Sequence, residues 1–192
     1  MNSTRYSRLA ALTAAALLAL TGCSKTDAGA ATEQPTSSRP SGQTLSQAIA
    51  GASNLSDLSG ALRATGLAQV FDGAGSYTIL APNNAAFAKL GDAGSALDQP
   101  DDRSQMAAEL RDHIVPGYMT PADIRSAIDS QHGEVKVATM GGHKLSFTSS
   151  GNAIKVTGED GSEATISGDA VEADNGVAIP VDGVLKKLTP SG

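Results

Sequence analysis

The chain divides by the rhythm of its apolar positions. From Thr44 the spacing is helical: Leu45, Ala48 and Ile49 share one face of a short helix that Thr44 can cap. Leu55, Leu58, Ala61 and Leu62 repeat the pattern, and Gly66 is placed to stop it. Tyr77-Thr78-Ile79-Leu80 predicts a strand that Pro82 ends. Ala85 to Leu90 predicts a short helix burying Phe87 and Leu90, and Asp101 or Asp102 opens the next, with Met106, Glu109, Leu110 and His113 on one side. Pro121 suits the first turn of a further helix whose apolar face carries Ile124, Ala127 and Ile128.

The second half alternates instead. Val135 and Val137, Leu145 and Phe147, and Ile154 and Val156 all recur with period two. Gly141-Gly142, Ser150-Gly151-Asn152 and Asp160-Gly161 are turn signals, and strands are predicted to continue through Glu163–Ala173 and Val177–Leu188. Helices first and strands after predict an α+β domain with an antiparallel sheet. No self-similarity of ~30 residues is visible, which excludes a repeat fold.

The segment before Thr44 has a different character. Residues 1–22 have the parts of a secretory signal: Arg5 and Arg8, an apolar stretch from Leu9 to Leu20, then Leu20-Thr21-Gly22-Cys23. The apolar stretch falls short of the ~20 residues a membrane span needs. Leu20-Thr21-Gly22-Cys23 resembles the bacterial lipobox, which implies that Cys23 is lipidated and becomes the first residue of the exported chain. Acyl chains contribute ~0.8 kcal/mol per buried methylene, so two or three of them anchor a protein stably in a membrane. Ser24 follows the cysteine, which points to the outer membrane if the cell has two, with a periplasmic or surface-exposed domain. Residues 23–42, rich in Thr, Ala, Ser, Gly and Pro, have nothing to bury and are read as a flexible tether open to O-glycosylation.

Composition narrows the function. Of 192 residues, 40% are hydrophobic and 18% charged, as in soluble globular proteins, but only 3% are aromatic and none is Trp. The core must therefore use Leu, Ile, Val and Ala, with Phe71, Tyr77, Phe87, Tyr118 and Phe147 as its few large pieces. The formal net charge is −6, and removal of the leader leaves 12 basic residues against 20 acidic. No basic run exceeds Lys186-Lys187, so nucleic acid is not expected as a partner. Cys23 is the only cysteine, which excludes an internal disulfide.

Four segments, in order, resemble the boxes of the fasciclin domain family: TILAPNNAAFAKL at 78–90, LRDHIVPG at 110–117, VATMGGHKLSF at 137–147 and NGVAIPVDGVLKK at 175–187. The resemblance implies a fasciclin-like domain over 43–190. In it, helices of the first half pack on antiparallel β-sheet of the second, as a wedge or sandwich. It also implies a role in adhesion or ligand binding. The chain departs from the family pattern at Asp112, where Tyr usually precedes the His, and at Ile179 and Pro180, where His and Val are usual. In animal relatives the Tyr-His region is linked to integrin adhesion, and with Asp112 in place that partner is not carried over. Pro180 lacks a ladder donor, so its strand is expected to bulge or lie at an edge.

Candidate chemistry is sparse. His113 falls on an apolar helix face and reads as a packed, hydrogen-bonded histidine, kept beside Tyr118 as a candidate binding residue. His132 and His143 stand in polar turns without the spacing of a metal site. No G-x-S-x-G elbow is present. Asp101-Asp102 and Glu159-Asp160 read as a helix start and a turn rather than a glycosidase pair. Gly73–Gly75 and Gly141-Gly142 lack the helix and lysine of a phosphate cradle. No catalytic residue, metal or cofactor is expected. Met106, Met119 and Met140 read as core filling. Tyr118, just after Pro116-Gly117, is the best exposed aromatic anchor. The expectation is a non-enzymatic, lipid-anchored envelope protein for adhesion or macromolecular binding, with a protein or glycan partner at the cell surface. The alternative is a carrier of a small apolar ligand, lipid or pigment, which would need an enclosed cavity of several hundred Å³.

Overall fold

Helix formation starts where the pattern places it. The computed structural model describes residues 42–91 and 103–185. The leader, Cys23, the tether up to residue 41, Asp101-Asp102 and Lys186-Lys187 lie outside the described residues. Helix α1 (Leu45–Gly51) carries a capping box: the Thr44 hydroxyl accepts from the Gln47 backbone N–H, and the Gln47 side chain accepts from that of Thr44. A 3-10 turn (Ser53–Leu55) leads into α2 (Ser56–Ala64), which ends before Gly66, and a second 3-10 stretch (Leu67–Asp72) delivers Phe71 to the core. After strand β1 (Tyr77–Pro82), Asn83 caps the five-residue α3 (Asn84–Ala88). That helix is shorter than expected. It buries Ala86 and leaves Phe87 and Leu90 only half-buried, because it stops before Leu90 comes around.

Helix α4 (Arg103–Asp112) buries Met106, Glu109 and Leu110, and His113 follows its last residue. Strand β2 (Ile114–Pro116) leads to α5 (Pro121–Gln131), which has Pro121 in its first turn, a second capping box between Thr120 and Asp123, and Ile124 and Ile128 buried. The strands that follow are β3 (Val135–Ala138), β4 (Lys144–Ser150), β5 (Ala153–Gly158), β6 (Glu163–Thr165), β7 (Val171–Ala173) and β8 (Gly176–Val181).

There are two four-stranded sheets among the described residues, ordered β2-β1-β8-β7 and β3-β4-β5-β6. All pairs are antiparallel except β1–β8, which runs parallel with Tyr77 opposite Gly176 and Pro82 opposite Val181. The expected run Glu163–Ala173 is broken, because the chain leaves the second sheet after β6 and joins the first at β7. The last strand ends at Val181 rather than Leu188. There the Asp182 side chain turns back to accept from the Thr165 N–H at 2.6 Å. Pro180 lies neither at an edge nor in a bulge of its own strand. Pairing of Val171 with Ala178 and a bridge from Ile166 to Val181 leave residues 167–170 opposite only 179 and 180. The neighbour makes the detour, beside the prolyl nitrogen, and Pro180 keeps one bond on that side, accepting from the Ser167 N–H at 2.8 Å.

Burial explains the parallel pair. Every residue of β8 is buried, as are five of the six in β1. Ile79, Ala81, Ile114 and Ala178 pack on one face of the first sheet against α1, α2, Phe71 and α4. Leu80, Val115, Val177 and Ile179 pack on the other, against α5 and the inner face of the second sheet through Leu145, Phe147 and Val156. A sheet covered on both faces is the setting in which parallel strands are stable.

The β7–β8 turn ties this arrangement to the helices. The Asn175 side chain accepts from the Leu45 N–H at 2.7 Å and donates to the carbonyls of Phe71 and Gly73, both at 2.7 Å. Its own carbonyl accepts from Tyr77 N–H. At Gly176 a Cβ would overlap the Tyr77 carbonyl oxygen, so only glycine permits this approach. Asn175→Ala removes three side-chain bonds and leaves the Leu45 donor without its partner. It should lower unfolding free energy by about 2–4 kcal/mol in urea titration with an unchanged m-value.

Candidate functional site

Tyr118 stands 41% exposed on a loop whose backbone is held on both sides. Buried Thr78 does most of this. Its hydroxyl donates to the Gly117 carbonyl at 2.8 Å and accepts from the Met119 N–H at 2.8 Å. The Gly117 N–H donates to the Ser76 carbonyl at 2.8 Å. Thr120 then locks the start of α5: its N–H and hydroxyl donate to the Asp123 carboxylate at 2.9 and 2.7 Å. The phenol points to β7, where its hydroxyl donates to Glu172 at 3.4 Å. Partial burial and then the Glu172 carboxylate raise the phenol above its ordinary pKa, so it stays a neutral donor.

His113 sits elsewhere and does something different. It is 1% exposed, so it cannot serve as a surface contact, the binding role considered for it. Its Nδ1 lies 2.9 Å from the Leu80 carbonyl, and its Nε2 accepts from the Leu185 N–H at 3.1 Å. This pair of partners requires the neutral tautomer with the proton on Nδ1. Burial pulls its pKa down from 6.5 to about 4, against smaller opposing effects of the Leu80 carbonyl and Asp112. The imidazole is a strut between β1 and the segment after β8.

One constellation was not legible in the sequence. Asp112, buried next to His113, accepts from His143 Nδ1 at 2.7 Å, and the Thr139 hydroxyl lies 3.5 Å from the same oxygen. Gly141 and Met140 add backbone bonds to Arg111 and Ile114. A Cβ on Gly141 would overlap the Asp112 carboxylate, so glycine is required there. The β3–β4 turn is thereby stapled to the α4–β2 junction. Beside it, Asp112, His143, Lys144, Leu145, Glu159, Asp160 and Leu185 border an open cleft of about 270 Å³ with both polar and apolar walls. The sequence places His143 in a polar turn and marks Asp112 only as a departure from a motif. Their contact spans 31 residues, and no local pattern announces it.

The apolar alternative has little room. Phe87, Leu90, Met106, Leu110, His113 and Val184 border a notch of about 20 Å³, space for about one water molecule. Met106 is buried core, whereas Met140 is 36% exposed and so does not fill the core as expected. His132 is exposed at the end of α5. Among the described residues no three His, Cys, Asp or Glu side chains converge as metal ligands, and no helix is long and apolar enough to cross a membrane.

Comparison with known proteins agrees with this architecture. The model of the fasciclin domain matches residues 53–187. The chain is 31% identical over 147 residues to protein sll1483 of Synechocystis sp., covering 76% of this chain and 74% of that one. It is 32% identical over 128 residues to protein sll1735 of the same organism, covering 65% and 84% respectively. Among solved structures it superposes on a FAS1 domain pair from the insect cell adhesion molecule Fasciclin I with a TM-score of 0.67 at 16% identity. That match covers 77% of this chain and 52% of the insect chain, so this chain spans about half the length of the pair.

The buried neutral histidine makes stability depend on pH. In the unfolded chain the imidazole binds a proton below about 6.5, and in the folded chain only below about 4. The unfolded state therefore holds more protons between these values, and stability falls as pH drops through that window. The contribution lost by pH 4 is about 3 kcal/mol. It is read as the difference between the native chain and His113→Gln, whose amide does not titrate; equal pH slopes for the two would remove the assignment.

Proposed function

Because this chain belongs to the fasciclin domain family, a family linked to adhesion, we propose that it is a lipid-anchored envelope protein whose domain holds a macromolecule, protein or glycan, at the cell surface. The observation that carries the binding role is the fixed Tyr118 loop. An exposed aromatic with few torsions, set on a backbone pinned by Thr78 and Thr120, loses little entropy when a partner covers it. Its neutral hydroxyl adds a directional donor. The apolar notch of about 20 Å³ gives no matching support to carriage of a lipid or pigment.

The anchoring part rests on the sequence of the leader. A basic start, a short apolar stretch and Leu-Thr-Gly-Cys ending at Cys23 support export and acylation, and Ser24 supports the outer membrane in a cell that has two. No catalytic role is assigned.

Two measurements separate the parts. Immobilised native chain is offered envelope and matrix extracts, and Tyr118→Ala should weaken retention of a saturable macromolecule about 10-fold, the loss of a modest hot spot. Unfolding free energy should change by less than about 1 kcal/mol, because the side chain is half in solvent. Retention unaffected by the substitution removes Tyr118 from the site. Cys23→Ser should move the protein from the membrane fraction to the soluble one, and continued membrane association would remove the lipid anchor.

A further inference from the structure

The Tyr118 ring shares its surroundings with two carboxylates. Glu172, half-buried on β7, accepts from the phenol hydroxyl through Oε2 at 3.4 Å, and its Oε1 has no partner among the described residues. Asp123, exposed in the first turn of α5, gives only Oδ2 to Thr120, and its Oδ1 is likewise open. After partial burial and Glu172, the charge of Asp123 is the next influence that holds the phenol above its ordinary pKa, so both carboxylates act on the ring.

Neither carboxylate is neutralised within the protein. The ion pairs among the described residues are Glu134–Lys136, Asp112–His143 and Glu163–Lys155, and none of them includes Glu172 or Asp123. Arg125 is the cation nearest to Asp123 along α5. Two residues make about 200° of helical turn, so it leaves from the other side of the helix and donates to the Asn152 carbonyl at 2.6 Å. An exposed aromatic ring and two unpaired carboxylates therefore meet on a loop whose backbone Thr78 and Thr120 hold in place. The face of an aromatic ring attracts a cation, and so does a carboxylate. The two attractions act in the same place and favour the same kind of ligand.

We propose that the Tyr118 site takes a basic segment of a partner protein, with an arginine laid on the ring and its N–H groups turned to Glu172. This rests on the reading of the Tyr118 loop as a binding site, and narrows its partner from protein or glycan to a cationic protein surface. Arginine fits better than lysine, because a planar guanidinium stacks on a ring and donates to a carboxylate in one pose. A neutral glycan can stack on the ring but would cover the carboxylates without pairing them, and an acidic glycan would meet them with like charge. A bare divalent cation needs several converging oxygens, and no such group exists among the described residues.

Short dye-labelled peptides that alternate glycine with arginine, lysine or citrulline test the proposal by anisotropy with the purified full chain. The arginine peptide should bind at least ~3-fold more tightly than the lysine peptide, and the uncharged citrulline peptide should not bind. This comparison uses the native chain and so stands even where a variant does not fold. Glu172→Gln should weaken arginine binding ~5-fold and Tyr118→Ala ~10-fold, and Tyr118→Phe, which keeps the ring, should recover most of that loss. Glu159→Gln, which removes an exposed carboxylate on the turn after β5, should bind like the native chain. Equal binding of the three peptides, or equal losses in Glu159→Gln and Glu172→Gln, would overturn the assignment. If Tyr118→Ala still loses a partner from the envelope extracts while the native chain ignores the arginine peptide, the basic partner falls and the loop stands. If Tyr118→Ala changes neither measurement, the loop falls and the assignment with it.

Discussion

The fold depends on a parallel contact between β1 and β8, two strands separated by nearly a hundred residues of chain. Because both faces of this pair are buried, neither strand can exist in place without the other and without a cover on each side. The helices of the first half supply one cover. The second sheet and α5 supply the other. The domain is therefore a sequence of layers in which the first sheet is the middle one.

Two polar side chains pin the ends of that contact. Asn175 holds the start of β1 and β8 to α1 and to the end of the 3-10 stretch, with three side-chain hydrogen bonds to backbone groups. His113 does the same at the far end, joining β1 to the segment that follows β8. Both satisfy buried or half-buried backbone groups that would otherwise cost about 1–3 kcal/mol each. A third pin, Asp112 with His143, ties the second sheet to the α4–β2 junction.

The rigidity made this way is what the surface uses. Thr78 faces the core side of β1, yet its hydroxyl fixes Gly117 and Met119 and so holds Tyr118 in solvent. The second sheet packs on the first through Leu145, Phe147 and Val156, and no described helix covers its far side.

Much of the local structure was legible in the sequence, because it depends on neighbours along the chain. Helical spacing, the cap at Thr44, the proline at the start of α5 and the alternation of β3 to β5 are set by contacts within a few residues. The family boxes carried the fold class, and exposed Tyr118 followed from its place after a turn. The parallel pair, the break between β6 and β7, the inner position of Pro180 and the Asp112–His143 staple did not follow, since each is decided by partners dozens of residues away. Periodicity says which side of a strand is apolar. Only packing decides which layer that side meets, and that choice brought Asp112 against His143 and set Pro180 in an inner strand.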